Sequence, residues 1–65
     1  MLELFDRVQL LIDLPGHNLS AGSIGVVVMI FEEPQASVEV EFCDSFGRTV
    51  AEIAIKPGDL HKVDS

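Results

Sequence analysis

The sequence predicts an all-β fold, a small barrel of five short strands that spans residues 1–65 as one domain. Three observations indicate this fold. β-branched and large apolar side chains fill the run 24–31, a composition that suits a buried strand and suits a helix poorly. Other runs alternate apolar with polar residues, which is the period of a half-buried strand. Turn-forming residues separate these runs.

Length and composition predict that the chain associates with another chain. A domain of 65 residues buries only about 60% of the surface that its unfolded chain exposes. Small domains usually gain the missing stability from disulfides, a metal or association. Cys43 is the single cysteine, which excludes an internal disulfide and leaves no paired thiols for a structural zinc site. An apolar content of 48% is high for so small a chain and agrees with a contact surface.

The charge balance argues against nucleic acid as a partner. Eleven acidic residues against four basic ones give a formal net charge of −7, and such a field repels a phosphate backbone. The first residues are acidic where a signal peptide is positive, and Asp6, Arg7 and Asp13 interrupt each apolar stretch before it reaches membrane-spanning length. We therefore expect a cytoplasmic protein with no membrane contact. A lone cysteine fits a reducing compartment.

The first predicted strand covers residues 8–12, where Val8, Leu10 and Ile12 occupy alternate positions and are expected to face the core. Residues 13–23 then form a loop, because they are dense in turn formers and include a Pro-Gly pair. This connection is longer than a hairpin loop usually is. It is long enough to lie across one end of a barrel.

The central strand, residues 24–31, is apolar at both odd and even positions. Gly22 and Gly25 stand at its entrance and are expected to provide backbone freedom or room for a close contact. A phosphate loop is not expected, since the pair leads into a strand and not into a helix. Two explanations of the apolar pattern stay open. Either a long bent strand serves both halves of the core, or one side of it is a face for a partner.

The next two strands show the clearest alternation. Pro34 ends the central strand because it lacks the N–H that a continuing ladder needs. Residues 37–43 and 48–56 are the following strands, joined by a type I turn with Asp44 first and Gly47 fourth. The inner positions are predicted to be Val38, Val40 and Phe42, followed by Thr49, Ala51, Ile53 and Ile55.

Residues 57–60 fit one 3-10 turn, and residues 61–63 fit a short last strand that pairs with the first. Five strands, a long first loop and a 3-10 turn before the last strand are typical of an SH3-like barrel. In that fold the long loop lies across one end of the barrel, where it is available to ligands.

Five sequence blocks carry a resemblance to a known family. They are Leu4-Phe5-Asp6-Arg7-Val8, Asp13-Leu14-Pro15, Gly22-Ser23-Ile24-Gly25-Val26-Val27, Val38-Glu39-Val40-Glu41-Phe42, and Asp44 with Gly47-Arg48-Thr49. In order and spacing they resemble a family of short bacterial proteins known as domain of unknown function 4926. The resemblance implies an SH3-like barrel and attaches no activity to it. More loosely, the chain is similar to barrels with a KOW motif and to barrel subunits of electron-transfer complexes.

The residue patterns predict no catalytic residue, metal or cofactor. His17, Cys43 and His61 are one ligand short of a structural zinc site and fall on a loop and two strands. Cys43 has no adjacent base in the sequence, so it is expected to be a small half-buried residue and not a nucleophile. Glu39 and Glu41 point the same way on one strand, where surface charge explains them better than paired catalytic carboxylates.

We predict a non-enzymatic binding module that works through protein contacts, as a homo-oligomer or as the small subunit of a larger assembly. The predicted contact region combines the first loop with the acidic turn after the central strand. It comprises Leu14, Pro15, His17, Asn18, Leu19, Glu32 and Glu33. The alternative for Leu14 and Leu19 is that they only cover one end of the barrel.

Two other functions stay open. A KOW-like barrel that touches RNA through its loops requires the basic residues to cluster on one face. These residues are Arg7, Arg48, Lys56 and Lys62. The small size and the acidity also suit the partner of a toxin-like protein encoded nearby, and the neighbouring gene would test that idea.

Overall fold

Five strands form the sheet of residues 1–63, the part of the chain that the computed structural model describes. The strands are β1 (Arg7–Leu10), β2 (Ile24–Phe31), β3 (Ser37–Cys43), β4 (Thr49–Ile55) and β5 (Leu60–Lys62), with 3-10 turns at Pro15–His17 and Pro57–Asp59. All pairs are antiparallel, in the order β4-β3-β2-β1-β5. The predicted all-β class, the five strands and the 3-10 turn before the last strand are confirmed. Residues 64 and 65, included in the predicted domain, lie outside the described part.

The sheet is curled, because its two edge strands are consecutive in the chain. β4 and β5 lie at opposite edges, yet only residues 56–59 connect them, and three of these form a 3-10 turn. Five flat strands would hold the edges about 19 Å apart, farther than this coiled connection reaches. β5 pairs with β1, as predicted, and within residues 1–63 it does not pair with β4. The sheet is therefore curled but open, and the SH3-like barrel remains a prediction.

The core collects side chains from every strand and from the first loop. Phe42 on β3 is its largest fully buried side chain. The buried set is Val8, Leu10, Leu19, Val27, Val38, Val40, Phe42, Ile55 and Leu60. The predicted inner positions of β3 are all in this set, as are the first two of β1. Ala51 and Ile53 of β4 are half-buried against it, so the predicted inner face of β4 is confirmed from residue 51 onward.

Two residues predicted to face the core do not. β1 ends at Leu10, whose N–H donates to the Ser23 oxygen at 2.8 Å and whose oxygen accepts from the Gly22 N–H at 2.7 Å. The chain then leaves the sheet, and Ile12 is exposed. Thr49 is also exposed, because the register of β4 shifts between Phe42 and Cys43 of β3 and moves Thr49 to the other face.

A β-bulge in β2 decides which of its apolar side chains reach the core. Val27 lies opposite Val40 on β3, but Met29 lies opposite Glu39, so Val28 is an extra residue without a partner. A bulge of one residue reverses the alternation beyond it. Met29 is therefore on the side away from the core and is 51% exposed. The explanation in which both sides of this strand fill the core is wrong for its last three residues, all of which are exposed.

Gly25 is needed where β2 lies unusually close to its paired neighbour β3. A Cβ at this position would lie 2.6 Å from Cγ1 of Val40 and 2.9 Å from the backbone oxygen of Glu41. Neither atom belongs to the end of a flexible side chain, so a larger residue would displace the sheet. This contact agrees with the structural role predicted for Gly25.

Candidate functional site

The side of the sheet that faces away from the core is the candidate site, and we call it the outer face. Residues opposite one another in an antiparallel pair lie on the same face. Val26 of β2 is opposite Glu41 of β3, which is opposite Glu52 of β4, and none of the three belongs to the core. The outer face comprises Arg7 and Gln9 of β1, Ile24, Val26, Met29 and Phe31 of β2, Glu39 and Glu41 of β3, and Glu52 and Ala54 of β4.

The middle of the outer face is apolar. Four side chains of β2 form what we call the apolar row: Ile24, Val26, Met29 and Phe31. Three of them are exposed, Ile24 by 40%, Met29 by 51% and Phe31 by 38%, while Val26 is half-buried. Scattered single apolar residues are ordinary on a protein surface, but a contiguous row on one strand is a candidate contact surface.

Three carboxylates lie beside the apolar row, and we call them the acidic row: Glu39, Glu41 and Glu52. Glu41 and Glu52 are directly opposite one another, an arrangement of like charges that destabilises a sheet. Desolvation raises the pKa of Glu52, and the hydrogen bond and charge of Glu39 and the charge of Glu41 raise it further. The three neighbouring carboxylates give this side of the outer face a strongly negative electrostatic potential.

The opposite side of the apolar row has a different charge. Arg7 of β1 is opposite Val26, and Gln9 is opposite Ile24 on one side and His61 of β5 on the other. The outer face thus passes from carboxylates through apolar side chains to a guanidinium. This polarity would give any bound partner one preferred direction.

Phe5 adds an exposed aromatic ring close to the bulge of β2. The N–H of Phe5 donates to the Val27 oxygen at 2.7 Å, and Phe5 is 73% exposed. Its backbone is left-handed, with φ of 69°, a conformation that is rare for a bulky residue. Asp6 holds this turn, since its carboxylate accepts from the Glu3 N–H at 2.8 Å. Phe5 is a residue for which the sequence offered no signal beyond its apolar character.

The predicted loop residues divide between surface and core. Leu19 is buried and Leu14 packs half-buried against the core, joined by hydrogen bonds of 2.8 and 3.2 Å between their backbones. Covering the end of the sheet is therefore the role that the packing of these two leucines supports. Pro15, His17 and Asn18 are exposed.

The predicted loop and the predicted acidic turn both lie against the end of β4. Leu14 and His17 line a cleft with residues 53–56, and Glu33 lines a separate depression that includes Phe31 and residues 54–56. Glu32 is exposed beside an apolar groove of about 510 Å³. The turn is thus continuous with the outer face at Phe31, whereas the loop borders the other side of β4.

From the sequence, a partner face on one side of β2 was one of two open explanations, and the acidic row was not recognised as part of a site. The apolar pattern of β2 was visible, but the bulge at Val28 that turns Met29 and Phe31 outward was not. The opposition of Glu41 and Glu52 depends on the register of two strands, which spacing alone does not give.

The other candidate groups stay apart. Among residues 1–63 no three His, Cys, Asp or Glu side chains are placed to hold a metal ion. Cys43 is exposed at the end of β3, with its Sγ 3.9 Å from Oε1 of Glu41. Within the same residues no helix is long and apolar enough to cross a membrane.

The basic residues are scattered. Arg48 and Lys56 stand before and after β4, at opposite ends of a strand of seven residues. Nε of Arg48 lies 3.0 Å from the Asp44 carboxylate, and Nζ of Lys62 lies 3.7 Å from that of Asp6. Arg7 is on the outer face, while Lys62 is opposite Val8 and so lies on the core side at an edge.

Comparison with known proteins identifies a family without attaching an activity. No curated protein matches the chain significantly, and no solved structure does so either. The sequence model of one family matches residues 4–62, almost the whole chain. The chain therefore belongs to the family described as Domain of unknown function (DUF4926).

Proposed function

We propose that this chain is a non-enzymatic protein-binding module of the cytoplasm that binds its partner through the outer face. The observation that carries the proposal is the apolar row, which lies outside the core and which the bulge in β2 extends by turning Met29 and Phe31 outward. The chain works either as a homo-oligomer or as the small subunit of a larger assembly.

The size of the chain supports binding through a whole face. A standard protein interface buries about 800 Å² on each partner, which is about a sixth of the 4545 Å² that the protein exposes. Each Å² of apolar surface removed from water contributes about 25 cal/mol. A partner that covers the apolar row would therefore add appreciably to the stability of a domain with so small a core.

The acidic turn extends this surface, whereas the first loop lies apart from it. Glu33 shares a depression with Phe31, so a partner on the apolar row would also reach Glu33, whereas Glu32 lines the separate groove beside Ile30. Among the exposed loop residues, His17 lines the cleft beside residues 53–56, while Pro15 and Asn18 line a separate depression with Leu19, so only a partner that extends beyond the outer face would contact them.

Photo-cross-linking in cells tests the proposal. Benzoylphenylalanine in place of Met29 should give a discrete cross-linked product with a protein. The same group in place of Ser45, on the turn between β3 and β4, is the matched background. A yield at Met29 no higher than at Ser45 would contradict the proposal, and a product from His17 alone would move the contact to the first loop.

Light scattering of the purified chain distinguishes the two modes of assembly. A homo-oligomer stays associated at micromolar concentration, and its melting temperature rises with concentration. A small subunit elutes as a monomer whose melting temperature is constant.

The nucleic-acid alternative has no observation in its favour. It requires a cluster of basic residues, and two of the four are paired with carboxylates while Arg48 and Lys56 stand at opposite ends of β4.

A further inference from the structure

We propose that the outer face binds a cationic amphipathic segment of another protein, whose apolar residues cover the apolar row and whose Lys or Arg residues meet the acidic row. The inference rests on the proposed function and names the chemistry of the partner. It also assigns the small-subunit mode to this face, since a second copy of the chain lacks the required charge.

The spacing of the two rows defines the shape of the partner. Adjacent strands are about 4.8 Å apart, so Glu39 and Glu41 on β3 lie one strand from the apolar row and Glu52 on β4 lies two strands away. That total width, about 10 Å, is the diameter of one α-helix with its side chains. A single segment laid along β2 can therefore contact both rows.

Within residues 1–63 the acidic row has no cation of its own. Among residues 1–63 the ion pairs are Arg48 with Asp44 and Lys62 with Asp6, and neither includes a member of the acidic row. Glu41 and Glu52 repel one another from opposite positions, and Glu39 adds to the repulsion. Cations from a partner would remove this repulsion, so charge complementarity favours a basic segment.

A second copy is a poor occupant of the same face. The chain has a net charge of −7, and the outer face offers Arg7 against the three glutamates of the acidic row. Two outer faces in contact would bring together both acidic rows with only one guanidinium from each copy. Like-charge contact of this kind selects against self-association.

Arg7 also sets the direction of the partner. It lies across the apolar row from the acidic row. The basic side of the segment should therefore face β3 and β4, and its neutral or acidic side should face β1.

Titration of isotope-labelled full-length protein with designed peptides, followed by NMR, tests the inference. Three peptides have the same length and the same amphipathic pattern. The first has leucine at the apolar positions and lysine at the polar positions. The second replaces each lysine with glutamine, and the third replaces each leucine with serine. The leucine-lysine peptide should shift the amide signals of residues 24–31, 37–43 and 49–55. Each exposed ion pair changes the affinity about twofold to threefold. The leucine-glutamine peptide cannot form ion pairs with the three carboxylates of the acidic row, so it should bind about tenfold more weakly.

Two variants locate the contact. The triple variant E39Q/E41Q/E52Q should lower the affinity for leucine-lysine about tenfold, to that of leucine-glutamine, and its melting curve verifies the fold. The double variant M29S/F31S changes only exposed side chains and should weaken both leucine peptides. The serine-lysine peptide measures the attraction due to charge alone and should not saturate.

Several results would overturn the inference. They are equal affinity for leucine-lysine and leucine-glutamine, no binding of either peptide, shifts confined to residues 13–23, or self-association that M29S/F31S abolishes. The cross-linking result at Met29 is independent of these titrations. A Met29 cross-link together with equal affinities would leave the protein-binding function standing and reject only the basic partner.

Discussion

Glu41 of β3 and Glu52 of β4 lie directly opposite one another on the outer face of the sheet. Most sheets place opposite charges or apolar residues at such positions, because like charges there are destabilising. Desolvation raises the pKa of Glu52, and Glu39, which is diagonal to Glu52, raises it further through a hydrogen bond and its charge, as does the charge of Glu41. The fold therefore carries a local repulsion that its core has to offset.

Replacing Glu52 with Gln should stabilise the protein at neutral pH. The pKa of Glu52 is higher in the folded chain than in the unfolded one, so the folded state holds its proton more strongly. Stability therefore falls as the pH rises through the interval between the two values. Urea unfolding should give E52Q a higher free energy of unfolding than the natural protein at neutral pH, and the two values should converge below about pH 3, where Glu52 is protonated in both the folded and the unfolded state.

The matched control for this prediction is E33Q, which removes an exposed carboxylate in the turn after β2. Its stability should stay within about 0.5 kcal/mol of the natural protein. Equal stability of E52Q and the natural protein at neutral pH would show that the opposed carboxylates do not repel.

Replacing Gly25 with Ala should destabilise the fold by about 1 to 3 kcal/mol, the usual cost of overpacking. The added Cβ would lie 2.6 Å from Val40 and 2.9 Å from the Glu41 oxygen. Denaturant unfolding measures the change. G16A is the control, since a Cβ at Gly16 meets nothing within 4 Å and should leave stability nearly unchanged. A G25A curve that superimposes on the natural one would refute the close contact.

Replacing Leu19 with Ala should cost about 2 kcal/mol or more, because its side chain is buried and leaves a cavity. H17A in the same loop removes an exposed side chain and should change stability by less than about 0.5 kcal/mol. Thermal unfolding of the two variants decides between a loop that covers the core and one that serves only as a binding surface. Unchanged stability of L19A would support the latter.

The protein should not bind RNA or DNA measurably at about 150 mM salt, with a dissociation constant weaker than about 100 μM. Even if all four basic residues contacted one duplex, the salt slope would reach only about −3 to −4. Fluorescence anisotropy with labelled single-stranded and hairpin RNA measures this. Micromolar binding that weakens with salt and is lost in R48A or K56A would favour the KOW-like alternative.

Strands and turns that can be recognised from their own residues, without knowledge of their neighbours in space, were predictable from the sequence. The period-two alternation of Val38, Val40 and Phe42 identifies a half-buried strand without knowledge of its neighbours. The turn from Asp44 to Gly47 was equally predictable, since an Asp carboxylate caps such a turn and Gly47 adopts φ of 81° at little cost. The pairing of the last strand with the first was also predicted, as the way a five-stranded sheet closes on itself, and β5 does pair with β1.

The candidate site required the tertiary structure. The run of apolar residues from 24 to 31 identifies β2 as a strand with apolar side chains on both sides, but it does not show which side is buried beyond Val27. That choice depends on the bulge at Val28, which exists only because Val27 and Met29 pair with neighbouring residues of β3. A single inserted residue reverses the faces of all that follow. Because register is a property of two strands together, only the folded sheet turns Met29 and Phe31 outward and places Glu41 against Glu52.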